Sequence, residues 1–139
     1  MTRRKPKVGD VIQVELPTGR YAYGRVLRDA SVAFYEATSD EPAQPPIGSR
    51  TYRFVVGVYE DVLKSPSCPV VGHDPSRDAD EDWPPPYCVR DPLTGAMQIY
   101  QRGAMRRADA AECEGLEPAA VWDLHHLVDR IMGFRDTPD

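Results

Sequence analysis

The chain lacks long apolar runs, paired cysteine motifs and catalytic signatures, and each absence narrows what it does. No stretch approaches the roughly 20 apolar residues that cross a bilayer as a helix, so a membrane-spanning role is not expected. The three cysteines, Cys68, Cys88 and Cys113, are odd in number and include no Cys-x-x-Cys pair. That argues against a disulfide framework and against a structural zinc site, and reduced, partly buried thiols are expected instead. There is no Gly-rich phosphate loop, no serine in a nucleophile elbow and no internal repeat. No cofactor, metal ligand or catalytic residue is therefore assigned, and the protein is not expected to be an enzyme.

What is present is the make-up of one ordinary domain. The 139 residues are 41% hydrophobic and 28% charged, enough to bury a core without metal or disulfide staples. The start, Met1-Thr2-Arg3-Arg4-Lys5-Pro6-Lys7, is basic, but no apolar segment follows it as in a secretory signal, and a cytoplasmic location is expected. We divide the chain into a basic flexible tail over 1–7, a single domain over 8–133 and a short tail over 134–139. The net charge of −5 is unevenly spread, with eight acids against Arg130 and Arg135 from Asp109 to Asp139. An acidic body repels nucleic acid and favours basic partners.

The pattern along the chain is strands first and helices last. In Val11–Leu16, Ile12, Val14 and Leu16 share one face, the period of a half-buried strand. Pro17 and Gly19 suit a turn, and the return strand puts Tyr21, Tyr23 and Arg25 on one face and Ala22, Gly24 and Val26 on the other. Gly24, costly inside a strand, marks a bulge or a close backbone or ring approach. Ser31–Ala37 reads as a third strand, and residues 38–50, rich in proline, as a loop. Thr51–Glu60 is the strongest strand, apolar on both faces and expected in the middle of its sheet. Lys64–Pro86 carries six prolines and is expected to be a long connection without regular structure. Shorter strands follow near Tyr87–Arg90 and Met97–Gln101.

Asp109 and Glu112 form a capping-box pattern for a short helix that Gly115 stops. Pro118 suits the first turn of a second helix leaving at Gly133, with Val121, Leu124, Leu127, Val128 and Ile131 on its apolar stripe. The fold class is α+β: a small curved antiparallel sheet or partly open barrel packed against a C-terminal helix.

These residues resemble the immunity protein 26 family of bacterial polymorphic toxin systems. The resemblance rests on Lys7-Val8-Gly9-Asp10 leading into Leu16-Pro17-Thr18-Gly19-Arg20-Tyr21-Ala22-Tyr23-Gly24-Arg25-Val26-Leu27. It continues through Trp83 in its acidic, proline-rich setting, the strand Gln98-Ile99-Tyr100, and the Glu-rich helical end from Glu114 to Arg130. It implies an antidote that binds a toxin encoded by a neighbouring gene and blocks its active or binding surface, with no catalytic residues to transfer.

The candidate toxin contacts are Asp78, Asp80, Glu81, Asp82 and Trp83. Carboxylates there would steer the loop toward a basic toxin, a nuclease for instance, and Trp83 would anchor it. The plainer alternative is a solvated loop whose Trp83 folds back onto the core. Tyr21, Tyr23 and Arg25, with Tyr52 and Arg53, are candidates for an aromatic and basic sheet surface of the kind that stacks bases. Ordinary cross-strand packing places the same residues in a plain sheet. His73 beside Asp74 is a weak metal or acid–base candidate, and His125 and His126, about 100° apart on a helix, are poorly placed to share a metal. The rival readings are a ribonuclease toxin of the PemK and MazF type and a small nucleic-acid-binding barrel. The acidic charge disfavours both, and nucleic acid is not the expected partner. Oligomeric state is left open.

Overall fold

The structure, a computed structural model, describes residues 5–137, so Arg3 and Arg4 of the expected basic tail lie outside the described residues. Pro6 is buried and the Lys7 N–H donates to Asp10 Oδ2 at 3.0 Å, which packs this end of the expected tail onto the fold.

Two hairpins build the main sheet. Strands β1 (Asp10–Glu15) and β2 (Tyr21–Val26) pair antiparallel around the Pro17–Gly19 turn, where Gly19 takes φ +85°. A second tight turn puts Asp29 and Ala30 at φ 58° and 48° and leads into β3 (Ser31–Tyr35). Two successive positive φ values are the type I′ geometry that matches strand twist. Strand β4 (Tyr52–Val58) follows the proline-containing loop, then helix α1 (Glu60–Lys64) and strand β5 (Val70–His73). The sheet order is β5-β1-β2-β3-β4-β9, where β9 is Val121–Trp122 and runs parallel to β4. Strands β6 (Tyr87–Arg90), β7 (Met97–Gln101) and β8 (Ala104–Ala108) form a separate antiparallel sheet. Helices α2 (Ala110–Cys113) and α3 (Leu124–Ile131) complete the chain. The fold is α+β, with two open sheets and a C-terminal helix; neither sheet closes into a barrel.

The core lies between the main sheet and α3. Ile12, Val14, Ala22, Val32, Phe34, Val56 and Val58 meet Leu63, Trp122, Leu127 and Ile131 there. Gly24 sits on this face opposite Phe34. A Cβ at Gly24 would collide with the Val32 side chain and press on the Phe34 ring at 3.2 Å. The glycine is thus a close ring approach and not a bulge; the register shifts fall at Val11/Ile12 and Phe34/Tyr35.

Four expectations are corrected. The Thr51–Glu60 strand is shorter than expected and ends at Val58; it is an interior strand, paired with β3 on one side and with only the two residues of β9 on the other. Lys64–Pro86 is not irregular throughout, because β5 pairs with β1 and residues Ala79–Asp82 form a 3-10 turn. Strand β8, exposed along nearly its whole length, carries no period-two apolar signal and was not expected. The last helix starts at Leu124, not at Pro118: the Asp123 side chain accepts the His126 N–H at 2.8 Å, while Val121 and Trp122 pair with Gly57 and Val58. Burying Trp122 against the sheet outweighs the helical spacing of Val121, which is left exposed on the strand. The capping box of α2 forms as expected, with Asp109 and Glu112 bonded reciprocally.

Candidate interaction surface

The second face of the main sheet is covered by loops and contains a buried charge cluster. Val11, Tyr23 and Tyr35 are buried there, with Tyr21, Tyr52 and Val71 packed around them. Tyr23 and Arg25, expected on an aromatic and basic sheet surface, are both 0% exposed. Alternation did put them on one face, but a single strand does not reveal that two loops cover that face.

Arg25 organises the cover. Its Nε donates to the Asp74 carbonyl at 2.9 Å and its Nη1 to the Glu81 carbonyl at 3.2 Å. Its Nη2 reaches Ser76 Oγ and Asp82 Oδ1, each at 3.1 Å. Asp74, also buried, accepts the Tyr35 hydroxyl at 2.5 Å, the Gly48 N–H at 3.1 Å and Arg50 Nη1 at 2.9 Å. Arg50 in turn pairs with Glu81 at 3.3 Å. The loop over 43–50 is therefore tied to the Asp74–Asp82 segment through Arg50, Asp74 and Glu81, and Arg25 ties that segment to β2. Such charges are tolerable in a dry site only when paired and hydrogen-bonded.

The electrostatics follow from those bonds. Burial alone would raise the Asp74 carboxyl, but the bonds from Tyr35, Gly48 and Arg50 outweigh it and hold it below the usual range. The same balance lowers Asp82, where its burial is outweighed by hydrogen bonds from Ser76 and Arg25. Burial and the bond to Asp74 push the Tyr35 phenol well up. The Arg77 N–H, helped by Arg50, lowers Glu81.

The five candidate contact residues consequently separate. Glu81 and Asp82 are half-buried and turned toward Arg50 and Arg25. Asp78 caps the 3-10 turn through the Glu81 N–H at 3.1 Å. Asp80 is 80% exposed at its side chain and meets Arg102 at 3.0 Å. Trp83, half-buried, has two guanidinium groups against its ring, Arg28 at 5.2 Å and Arg102 at 5.5 Å from its ring centre.

Three segments converge on Trp83: the β2–β3 turn, the acidic segment and the tip of the β7–β8 hairpin. That tip holds Arg102 and Gly103 at φ 50° and 85°, again the type I′ arrangement. Tyr100 OH donates to Asp29 Oδ2 at 3.1 Å, and Tyr87 OH bonds Ser31 Oγ at 2.9 Å. These two tyrosines stitch the small sheet to the β2–β3 turn. Arg28, Arg102 and Tyr100 had no sequence signal as site residues, because only the tertiary fold brings the two hairpin tips together.

The remaining candidates are placed elsewhere. His73 Nδ1 lies 2.9 Å from Asp10 Oδ1, not at Asp74's carboxylate. His125 is exposed and 3.7 Å from Asp129, while His126 pairs with Asp123 at 3.3 Å. Among the described residues no group of three or more His, Cys, Asp or Glu side chains is arranged to hold a metal. No disulfide joins the three cysteines, and the neighbouring Cys88 together with burial pushes the Cys113 thiol up to about 11. Among the described residues no helix is long and apolar enough to cross a membrane.

The family model described as Immunity protein 26 matches residues 7–95, more than half of the chain and all of the strands from β1 to β6. No curated protein and no solved structure matches.

Proposed function

The chain belongs to the immunity protein 26 family, and from that premise we propose that it neutralises one cognate toxin by binding it and covering its working surface. The family match carries this reading, since membership implies an immunity protein with a toxin partner. Members of such families generally act without turnover, so inhibition is stoichiometric: one molecule silences one toxin, in the cytoplasm of the cell that makes both.

We place the centre of the contact at Trp83. Tryptophan and arginine dominate the energetic centres of protein interfaces, and here both Arg28 and Arg102 pack against the Trp83 ring. The flanking guanidinium groups limit the ring's motion, so little side-chain entropy is lost on docking. Asp78 and Asp80 supply exposed carboxylates at the rim, where charge acts mainly on association rate. Glu81 and Asp82 act one step back, by fixing the segment that carries the tryptophan. The matching toxin surface is mixed in charge, because arginines and carboxylates alternate around Trp83. Charge alone therefore no longer singles out a nuclease.

The test is co-expression with the protein encoded by the adjacent gene, scoring survival and co-purification. Rescue of growth together with a stable complex supports the proposal; a neighbour that is harmless alone, or that does not bind, removes it. Cleavage of RNA by the purified chain would favour the ribonuclease rival instead.

A further inference from the structure

The β7–β8 hairpin ends the small sheet with an open edge, and its hydrogen-bond parity is fixed by its turn. Gln101 pairs with Ala104 across the two-residue turn, Ile99 with Arg106, and Met97 with Ala108. Next to a two-residue turn the flanking pair exchanges both backbone bonds, and bonded pairs alternate with non-bonded ones from there. Met105 and Arg107 therefore aim their N–H and C=O groups away from β7. Among the described residues no backbone bond from another segment reaches either residue. The opposite edge of this sheet is covered, since Cys88 exchanges bonds with Glu117 and Ala119 at 2.8 and 2.7 Å.

An open edge is a template for another strand, and its side chains determine which strand fits. From Tyr87 to Ala108 the small sheet holds four arginines, Arg90, Arg102, Arg106 and Arg107, against the single acid Asp91. It is a basic island on a chain of net charge −5. Arg102 and Arg106 are paired with Asp80 and Glu112. Arg107 forms no ion pair among the described residues and borders a hollow with Gln98 and Asp91, whose carboxylate is taken by the Leu93 and Thr94 N–H groups. Met105, on the same face of the strand as Arg107, is 49% exposed.

We propose that β8 is a strand-pairing site that takes an extended acidic segment of the toxin, with an apolar residue beside Met105 and a carboxylate beside Arg107. This deepens and rests on the immunity reading, and it extends the Trp83 surface, because Arg102 joins the hairpin tip to the tryptophan. Main-chain bonds supply affinity in such pairing, and the alternate side chains supply choice of partner. A second copy of this chain fits poorly. The β8 strand of a second copy, Ala104–Ala108, carries no carboxylate to set beside Arg107, and the register that pairs Met105 with the other copy's Arg107 also puts Arg106 across from its own counterpart, where like charges repel. A nucleic acid would meet the arginines but offers no peptide groups for the open ladder.

The experiment measures amide hydrogen exchange of the full chain, free and bound to the protein encoded by the adjacent gene, together with the variants M105P and R107E. Strand pairing predicts at least ten-fold slower exchange at the Met105 and Arg107 amides in the complex, and at least ten-fold weaker binding by each variant. Met105→Pro removes only an outward donor, the position at which an edge strand tolerates proline; should it fail to fold, Arg107→Glu and the exchange rates still decide. Unchanged exchange at both amides in a formed complex overturns the proposal while leaving the immunity reading intact. If the neighbouring protein does not bind at all, that reading fails first, and a synthetic alternating Val–Glu decapeptide then probes the edge alone. Protection of the two amides by this peptide, and not by a Val–Lys counterpart, upholds the edge; no protection overturns it. Arginine-dependent binding of single-stranded RNA without amide protection also overturns it, in favour of a nucleic-acid surface.

Discussion

The two sheets of this protein use arginine in opposite ways. On the covered face of the main sheet Arg25 is fully buried and ties β2 to the Asp74–Asp82 segment, and Arg50, largely covered, ties the 43–50 loop to the same segment. In the small sheet Arg102, Arg106 and Arg107 are exposed, and they border a tryptophan, a helix and an open edge. The same residue type is structural where loops exclude water and available for recognition where they do not. A buried guanidinium must satisfy its donors internally at the cost of desolvation, whereas an exposed one keeps its hydration until a partner displaces it. The family match covers five of the six strands of the main sheet and the loops over them but stops at residue 95, before β7, β8 and the edge strand β9. Most of the main sheet thus lies inside the match, while Arg102, Arg106 and Arg107 lie beyond it.

Substitutions at the buried end of this contrast have the largest effect. Arg25→Met takes the cationic partner from Asp82, which keeps only Ser76, and the donor from the carbonyls of Asp74 and Glu81; removing one partner of a buried pair costs about 3–5 kcal/mol. Chemical denaturation should show that loss, and a fall below about 1 kcal/mol would mean the cover is held by something else. At the exposed end, Trp83→Ala should weaken toxin binding by about 2 kcal/mol or more, roughly thirty-fold, as read by calorimetry. Its melting temperature should shift far less than that of Arg25→Met; equal shifts would make Trp83 a core residue and erase the contrast.

Gly24→Ala tests the scaffold without touching charge. Overpacking against Val32 and Phe34 should cost about 1–3 kcal/mol, with toxin affinity of the folded fraction unchanged. Acid provides a further test. Asp74 and Asp82 titrate below their ordinary value of 3.8 in the folded chain, so near that pH the unfolded chain binds more protons. Their contribution is complete above about pH 5 and is lost as pH falls through and below 3.8. A denaturation series from pH 6 to pH 3 should therefore slope in wild type and flatten in Asp74→Asn measured against its own baseline. Arg107→Ala should change stability least, within about 0.5 kcal/mol; a larger loss in thermal melts would show that this exposed arginine also holds structure.

The hairpin around Gly19, the strands β3, β4, β6 and β7, the capping box at Asp109 and the apolar stripe through Leu127 and Ile131 were all legible in the sequence. Each depends on neighbours within a few residues, where turn chemistry and periodicity operate. Alternation even placed Tyr23 and Arg25 together correctly. It did not reveal that their face is covered, that Asp74 is buried, or that Glu81 and Asp82 turn inward from an apparently solvated acidic string. Nor did Val121 and Trp122 read as a strand, since their pairing partner, Gly57–Val58, lies more than sixty positions earlier.

By itself the sequence determined the α+β class, the family and the local turns, because those follow from short-range sterics and the burial of apolar residues at fixed periods. Only the tertiary structure decided which charges are braces and which are contacts. Burial, and with it the cost of leaving a charge unpaired, depends on segments such as the 43–50 loop, Asp74–Asp82 and the β7–β8 tip, which lie far apart in the chain and meet only when it folds.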